Sequence, residues 1–198
     1  MKHSIVELQH KSTFITSDTI FFFDMDGTLV DTNLANFLSY KKAIFSVTQS
    51  HHNLQHNPNN RFNRSILKNV ITDLSNSEYE LVIQKKEEYY NEYLNEIRLI
   101  PKTTDILFKY EKTNKIVLVS NCRKDRALTT LNYFGLTNKF TAIFYRQPAE
   151  DGRKINKFRN AIATLSISPQ FVIAFENEEI EIADAIDAGI EIINPIIL

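Results

Sequence analysis

Two carboxylates spaced two residues apart, Asp24 and Asp26, follow an apolar run at residues 20–23 and are followed at once by Gly27 and Thr28. The run is short, apolar and closed by a turn residue, which predicts a buried strand. Alternation along an extended backbone then points both carboxylates to one side as the strand opens into a loop. Gly27 permits the tight turn that must follow. Acids converging at the carboxyl end of a buried strand are suited to holding a cation and a phosphate. The plainer reading of an Asp-x-Asp pair, one Asp capping a turn and the other solvated, loses weight because Phe-Phe-Phe precedes the pair and Gly-Thr-Leu-Val-Asp follows it.

A second site lies at Ser120-Asn121, after the apolar run 116–119 and before a helical pattern. A small hydroxyl at a strand end can bond a phosphate oxygen while the amides of the next helix add donors. Taken alone, Ser or Asn there is an ordinary helix cap.

The elements that must position these groups follow from periodicity. Residues 32–100 carry apolar spacings of three and four, predicting helices, with a polar loop over residues 49–60 that contains His51, His52 and His56. After Pro101 the pattern alternates: helix at 103–112, strand at 116–119, helix at 125–134, strand at 140–145, helix at 154–165, strand at 171–175, helix at 178–188 and strand at 190–193. Such alternation implies an α/β fold, a doubly wound, mainly parallel sheet covered on both faces. The 32–101 segment interrupts it as a helical insertion after the first strand. Residues 1–17 carry no motif and read as an N-terminal extension.

The run Asp24-Met25-Asp26-Gly27-Thr28-Leu29 is similar to the first motif of the haloacid dehalogenase-like phosphohydrolase superfamily. The resemblance extends over about residues 20–194 and implies a Rossmann-like core, at 18–31 and 102–198, with a helical cap at 32–101. It implies that Asp24 is the nucleophile and Asp26 the general acid/base, which divides one displacement into two easier ones. Ser120 resembles the family's second motif and Asn121 a common companion, so these two, with Thr28 and Lys154, are the expected substrate-binding groups. The family also uses a lysine against phosphate and nucleophile. Lys154 and Lys157 both qualify, and Lys157 is preferred because residues 157–162 resemble the family's lysine leading into a helix. With Ala188-Gly189 fixing the register, Glu176-Asn177 falls on the family's acidic pair and Glu181 on a later carboxylate. Magnesium is the implied cofactor, held by Asp24, Asp26, Glu176 and Asn177, with Glu178 or Glu181 helping through water. Asn177 departs from the pattern, because it offers a neutral oxygen where an Asp is usual.

The implied activity is magnesium-dependent hydrolysis of a small phosphate monoester through an aspartyl-phosphate. Two alternatives stay open: a phosphosugar mutase of the same superfamily, and a binding or regulatory module weakened by Asn177. The net charge of −1 and the lack of a basic stripe argue against nucleic-acid binding. No apolar stretch reaches the length of a membrane span. The single cysteine, Cys122, rules out an internal disulfide and points to a cytoplasmic setting. Cys122 reads as a small filler of the phosphate loop rather than a reactive thiol. The histidines of the 49–60 loop read as solvated rather than metal-binding, and Tyr89, Tyr90 and Tyr93 as packing of the cap.

Overall fold

The computed structural model describes residues 15–147 and 155–195. Most of the expected N-terminal extension, and Lys154, lie outside them. Among the described residues, five parallel strands form the core sheet: β1 (Ile20–Phe23), β4 (Lys115–Val119), β5 (Ala142–Phe144), β6 (Val172–Phe175) and β7 (Ile192–Ile193), in the order β5-β4-β1-β6-β7. β1 is central and pairs with β4 on one side and β6 on the other.

The period of two along β1 divides the core into two halves. Phe21 and Phe23 enter a cluster with Ile106 and Leu107 of α4 (Pro101–Tyr110) and Ala127 and Leu131 of α5 (Lys124–Tyr133). Ile20 and Phe22 enter the opposite cluster, with Phe158 and Ala161 of α6 (Lys157–Leu165) and Ala185 of α7 (Glu179–Asp187). Helices therefore cover both faces, as a doubly wound sheet requires. Phe21, Phe22 and Phe23 are wholly buried, and each contributes about 1.5–3 kcal/mol by leaving water. Phe23 also stacks on Phe175 of β6, with ring centroids 4.8 Å apart, so the two strands that carry acids at their ends are held together just below those acids.

Between β1 and α4 the chain leaves the sheet. Two short strands, β2 (Val30–Asp31) and β3 (Arg98–Leu99), pair antiparallel to each other. Periodicity does not reveal them, because two residues are too few to show a period. Beyond them lie α1 (Asn33–Thr48), α2 (Arg64–Val70), α3 (Asn76–Tyr89) and a 3₁₀ turn at Tyr90–Glu96. The helical spacing of the 32–100 segment continues past this point, but helical geometry breaks at Tyr93 (φ −114°, ψ 20°). This insert has its own core of Phe37, Tyr40, Ile44, Phe62, Leu67, Val82 and Ile83. α3 opens with a reciprocal cap: Glu78 N–H donates to Ser75 Oγ, and the Glu78 carboxylate accepts from Ser75 N–H.

The turn after β1 is tight. Gly27 N–H donates to the Val30 carbonyl at 2.7 Å, and the Leu29 and Val30 N–H groups both donate to the Met25 carbonyl. Gly27 has φ +82°, and a Cβ there would lie 2.5 Å from Asn177 Nδ2. Gly27→Ala should therefore lower stability by about 1–2 kcal/mol from the left-handed backbone alone, and by more from the contact with Asn177. Urea unfolding of Gly27→Ala, Asn177→Ala and the double variant checks this. The double variant should recover the contact share, leaving the backbone share in place.

Candidate active site

Where β1 and β6 end side by side, their ladder continues one step, with Asp24 N–H donating to the Phe175 carbonyl at 3.0 Å. This sets Asp24 beside Glu176, both buried. α6 starts above them. Asn156 caps it by accepting from Arg159 N–H and is anchored by its own Nδ2–H bond to the Asp184 carbonyl. Lys157 is thus the first helical residue, and its ammonium drops between the two acids: Nζ lies 2.7 Å from Asp24 Oδ1, 2.6 Å from Glu176 Oε2 and 3.6 Å from Glu181 Oε2. Of the two lysines considered, Lys157 occupies this position.

One ammonium faces three carboxylates here. Burial pushes the Asp24 carboxyl up to about 7, with Lys157 opposing the rise and Glu176 adding to it. Burial lowers the Lys157 ammonium, but Asp24 and Glu176 overcome that and raise it above its ordinary value. Glu176 is fixed from two directions. Its Oε1 accepts from the Asn177 and Glu178 N–H groups, at 2.8 and 3.0 Å. Its backbone is gripped by the Asn194 side chain, whose Oδ1 accepts from Glu176 N–H and whose Nδ2 donates to the Glu176 carbonyl.

Asp26 has different surroundings. Arg61 from the insert and Arg126 from α5 both reach its Oδ2, at 3.1 and 2.9 Å, and the Thr32 hydroxyl donates to its Oδ1 at 2.7 Å. Burial alone would raise its pKa, but the two guanidinium groups hold Asp26 well below the usual carboxylate range. Arg61 is placed by its neighbours. Phe62 is buried in the insert's core, its carbonyl accepting from Asn36 Nδ2, and Asn63 caps α2. Arg126 sits one residue before the core residue Ala127, with its Nε donating to Cys122 Sγ.

The remaining expected residues fall as follows. Ser120 and Asn121 border the same cavity of about 410 Å³ as Asp24, Asp26, Lys157 and Glu176. Ser120 Oγ accepts from Cys122 N–H, and Asn121 donates to both Glu181 oxygens at 3.0 Å. Thr28 and Asn177 are not brought to the cavity wall; they engage each other, the Thr28 hydroxyl donating to Asn177 Oδ1 at 3.0 Å. The oxygen expected at a cation is thus turned onto the Gly27-Thr28 turn, because the missing Cβ of Gly27 leaves the space the amide fills. Cys122 is buried, and burial pushes its thiol up to about 12, consistent with an inert filler. Two of the three loop histidines, expected to be solvated, instead meet aromatic rings of the insert: His51 stacks on Phe45 and His56 lies 5.4 Å from the Phe37 ring centroid.

Sequence reading passed over Arg61, Arg126, Thr32 and Asn194. Arg61 had a signal, an Arg placed directly before an apolar anchor, Phe62, and a helix cap, Asn63. Asn194 had none beyond a position after the last strand, where its backbone adopts φ +50°.

Whether this donor set suits a hard cation can be judged from its chemistry. The three acids around Lys157 leave an excess of negative oxygen donors, as oxygen-loving divalent ions require. Among the described residues, no three His, Cys, Asp or Glu side chains already converge on one point as a metal cluster. Lys157 stands where such convergence would begin.

The haloacid dehalogenase-like hydrolase family matches residues 21–194, and the chain belongs to that family. Among solved structures it is similar to a protein from Haemophilus somnus described as a predicted phosphoglycolate phosphatase. That pair has 20% identity and TM-score 0.74, with 90% of this chain and 85% of that one covered. A haloacid dehalogenase-like family hydrolase from Streptococcus pneumoniae superposes with TM-score 0.66 at 20% identity, covering 89% and 84%. CbbY from Rhodobacter sphaeroides, solved in complex with phosphate, gives 0.65 at 16% identity, covering 90% and 86%. Comparison with curated proteins finds no match. No helix among the described residues is long and apolar enough to cross a membrane.

The raised Asp24 carboxyl carries a linkage consequence. An acid raised on folding contributes fully below its unfolded value, near 3.8, and that contribution is lost as pH rises through about 7. In metal-free protein, wild type should therefore lose stability relative to Asp24→Asn between pH 5 and pH 8. Thermal unfolding of both across that range measures it, and parallel pH curves would contradict it.

Proposed function

We propose that the protein is a phosphatase acting on a small phosphate monoester, with Asp24 as nucleophile and an aspartyl-phosphate intermediate. The observation that carries this reading is the placement of Lys157 between Asp24 and Glu176, with Ser120 on the same cavity wall. An Asp24 oxygen forms a bond to phosphorus as the ester P–O bond breaks, and the leaving oxygen takes a proton from Asp26. Asp26 then accepts a proton from water as the water oxygen attacks phosphorus, and the acyl-phosphate bond breaks to restore the Asp24 carboxylate. Lys157, Ser120 Oγ and Asn121 Nδ2 offer donors to the phosphoryl oxygens. To donate to phosphate, Asn121 must turn from Glu181 and Lys157 must share its ammonium with the incoming anion.

Magnesium fits the excess of acid groups; the Asp24 and Glu176 carboxylates with the Asp26 main-chain carbonyl would hold it, and Asn177 supports the turn beneath. When bound, magnesium supplies charge neutralisation at the phosphoryl oxygens. Asp26 must gain a proton before it can act as an acid, so Arg61 and Arg126 have to move off its Oδ2. That clamp favours a second reading, a family member that binds phosphorylated ligands with little turnover.

Hydrolysis of p-nitrophenyl phosphate with and without magnesium separates the two readings. Magnesium-dependent release is expected from wild type, with Asp24→Asn and Lys157→Ala each lowering kcat by about a hundredfold or more. Wild-type rates in Asp24→Asn would end the mechanism.

Calorimetric titration of magnesium separates the two neighbours at the end of β6. Glu176→Gln should weaken binding about tenfold or more, because it removes a charged oxygen donor, whereas Asn177→Ala should weaken it less. The reverse order would put the Asn177 oxygen on the cation.

A further inference from the structure

The Arg126 guanidinium faces two carboxylates with different nitrogens. Its Nη2 meets Asp26 Oδ2 at 2.9 Å, and its Nη1 lies 3.9 Å from Glu87 Oε1 of α3. Its third nitrogen, Nε, donates to Cys122 Sγ at 3.0 Å. The two acids are unevenly loaded. Asp26 holds Arg61 and Arg126 at Oδ2 and Thr32 at Oδ1. Glu87 has one close partner, Lys86 Nζ, 3.2 Å from Oε1, and among the described residues nothing bonds to its Oε2. Lys86 is itself an insecure partner. It is 2% exposed, and burial together with Arg126 pulls its ammonium down to about 8, against the opposing effect of Glu87. Lys86 and Arg126 both lie over the Tyr90 ring, at 5.3 and 5.4 Å.

Freeing Asp26 Oδ2 therefore requires somewhere for Arg126 to go. Arg61 stands on a loop of the insert and can withdraw with it. Arg126 belongs to α5, beside the wholly buried Ala127, so its head group can turn but cannot leave. A guanidinium turned from its acid in so enclosed a place needs another acceptor, because an unpaired buried charge is costly. Glu87 is the acceptor in position. The gap from Nη1 to Oε1 has to close by about 1 Å to become a hydrogen bond. With Oε2 open, the planar fork can then engage both Glu87 oxygens at once.

We infer that Glu87 is a positioning residue for the proposed acid step: it takes Arg126 over from Asp26, and so frees Asp26 Oδ2 for the leaving oxygen. The inference rests on the proposed phosphatase reading, which supplies the step that needs Asp26 unclamped. Glu87 acts through Arg126 and touches neither Asp26 nor the ligand. Lys86 competes for the same Glu87 oxygen and so opposes the hand-over. Because Glu87 stands on the insert and Arg126 on the core, the release of Asp26 is tied to how the two parts of the chain meet.

Rates on p-nitrophenyl phosphate and phenyl phosphate, in saturating magnesium, test the hand-over. Phenolate is the more basic leaving group, so the second ester depends more on a proton from the general acid. Glu87→Gln should lower kcat/KM for phenyl phosphate about tenfold or more, and for p-nitrophenyl phosphate by less than about twofold. Lys86→Met should leave phenyl phosphate hydrolysis unchanged or faster, because Glu87 then answers to Arg126 alone. The double variant Lys86→Met/Glu87→Gln strands no ammonium and should keep the Glu87→Gln deficit. It decides the matter if Glu87→Gln by itself fails to fold. Equal losses on both esters, recovery in the double variant, or a loss in Lys86→Met matching that in Glu87→Gln would reduce Lys86 and Glu87 to a structural ion pair and overturn the inference. Hydrolysis by wild type with no such split would leave the phosphatase reading standing and refute the role of Glu87 alone. No hydrolysis of either ester would refute both.

Discussion

The Lys157 ammonium is the interaction on which the site depends. Without it, Asp24, Glu176 and Glu181 would confront one another in a buried space where like charges repel strongly. Each acid is delivered by a different element: the end of β1, the end of β6 and the first turn of α7. Lys157 comes from a fourth, α6, so one charge ties together parts of the chain that meet only because the sheet is parallel and doubly wound. Parallel strands present all their carboxyl ends at one edge. Burial makes the arrangement conditional, since a stripped carboxylate is tolerated only beside a partner.

A division of labour follows between the two aspartates. Asp24 is buried beside an ammonium that it shares with other acids, and its proton affinity rises. Asp26, two residues on, is buried beside two guanidinium groups, and its proton affinity falls. The same residue type at two steps of one loop thus has opposite electrostatics. The difference is made by residues far away in sequence, and Arg61 belongs to the insert. The chemistry of the core is therefore unfinished without the helical segment.

Much of this was legible in the chain, and the limits have physical causes. The sheet could be read because β1, β4 and β6 are short apolar runs closed by polar residues, and their helices carry clean spacings of three and four. Asp24, Ser120 and Lys157 could be placed because each sits at an element end that the pattern defines. The β2–β3 pair was not legible, because its signal lies in pairing rather than composition. Asn177 could be located but not aimed. Its orientation is decided by the missing Cβ of Gly27 and by the Thr28 hydroxyl, contacts across nearly the full length of the domain. Arg61 and Arg126 were invisible as a pair, since nothing local tells an arginine near a helix start that its partner is an aspartate on another element.

Asn194 shows how such a site keeps its shape. A primary amide has the same donor and acceptor as a peptide group, in nearly the same plane. By accepting from Glu176 N–H and donating to its carbonyl, the Asn194 side chain serves as a counterfeit backbone. It adds one more rung to the β6–β7 ladder, beyond the last main-chain pair, Ala174 with Ile193. The sheet is in effect one residue longer at the place where the acid hangs. Glu176 thereby inherits the stiffness of a strand while standing one residue beyond the end of β6.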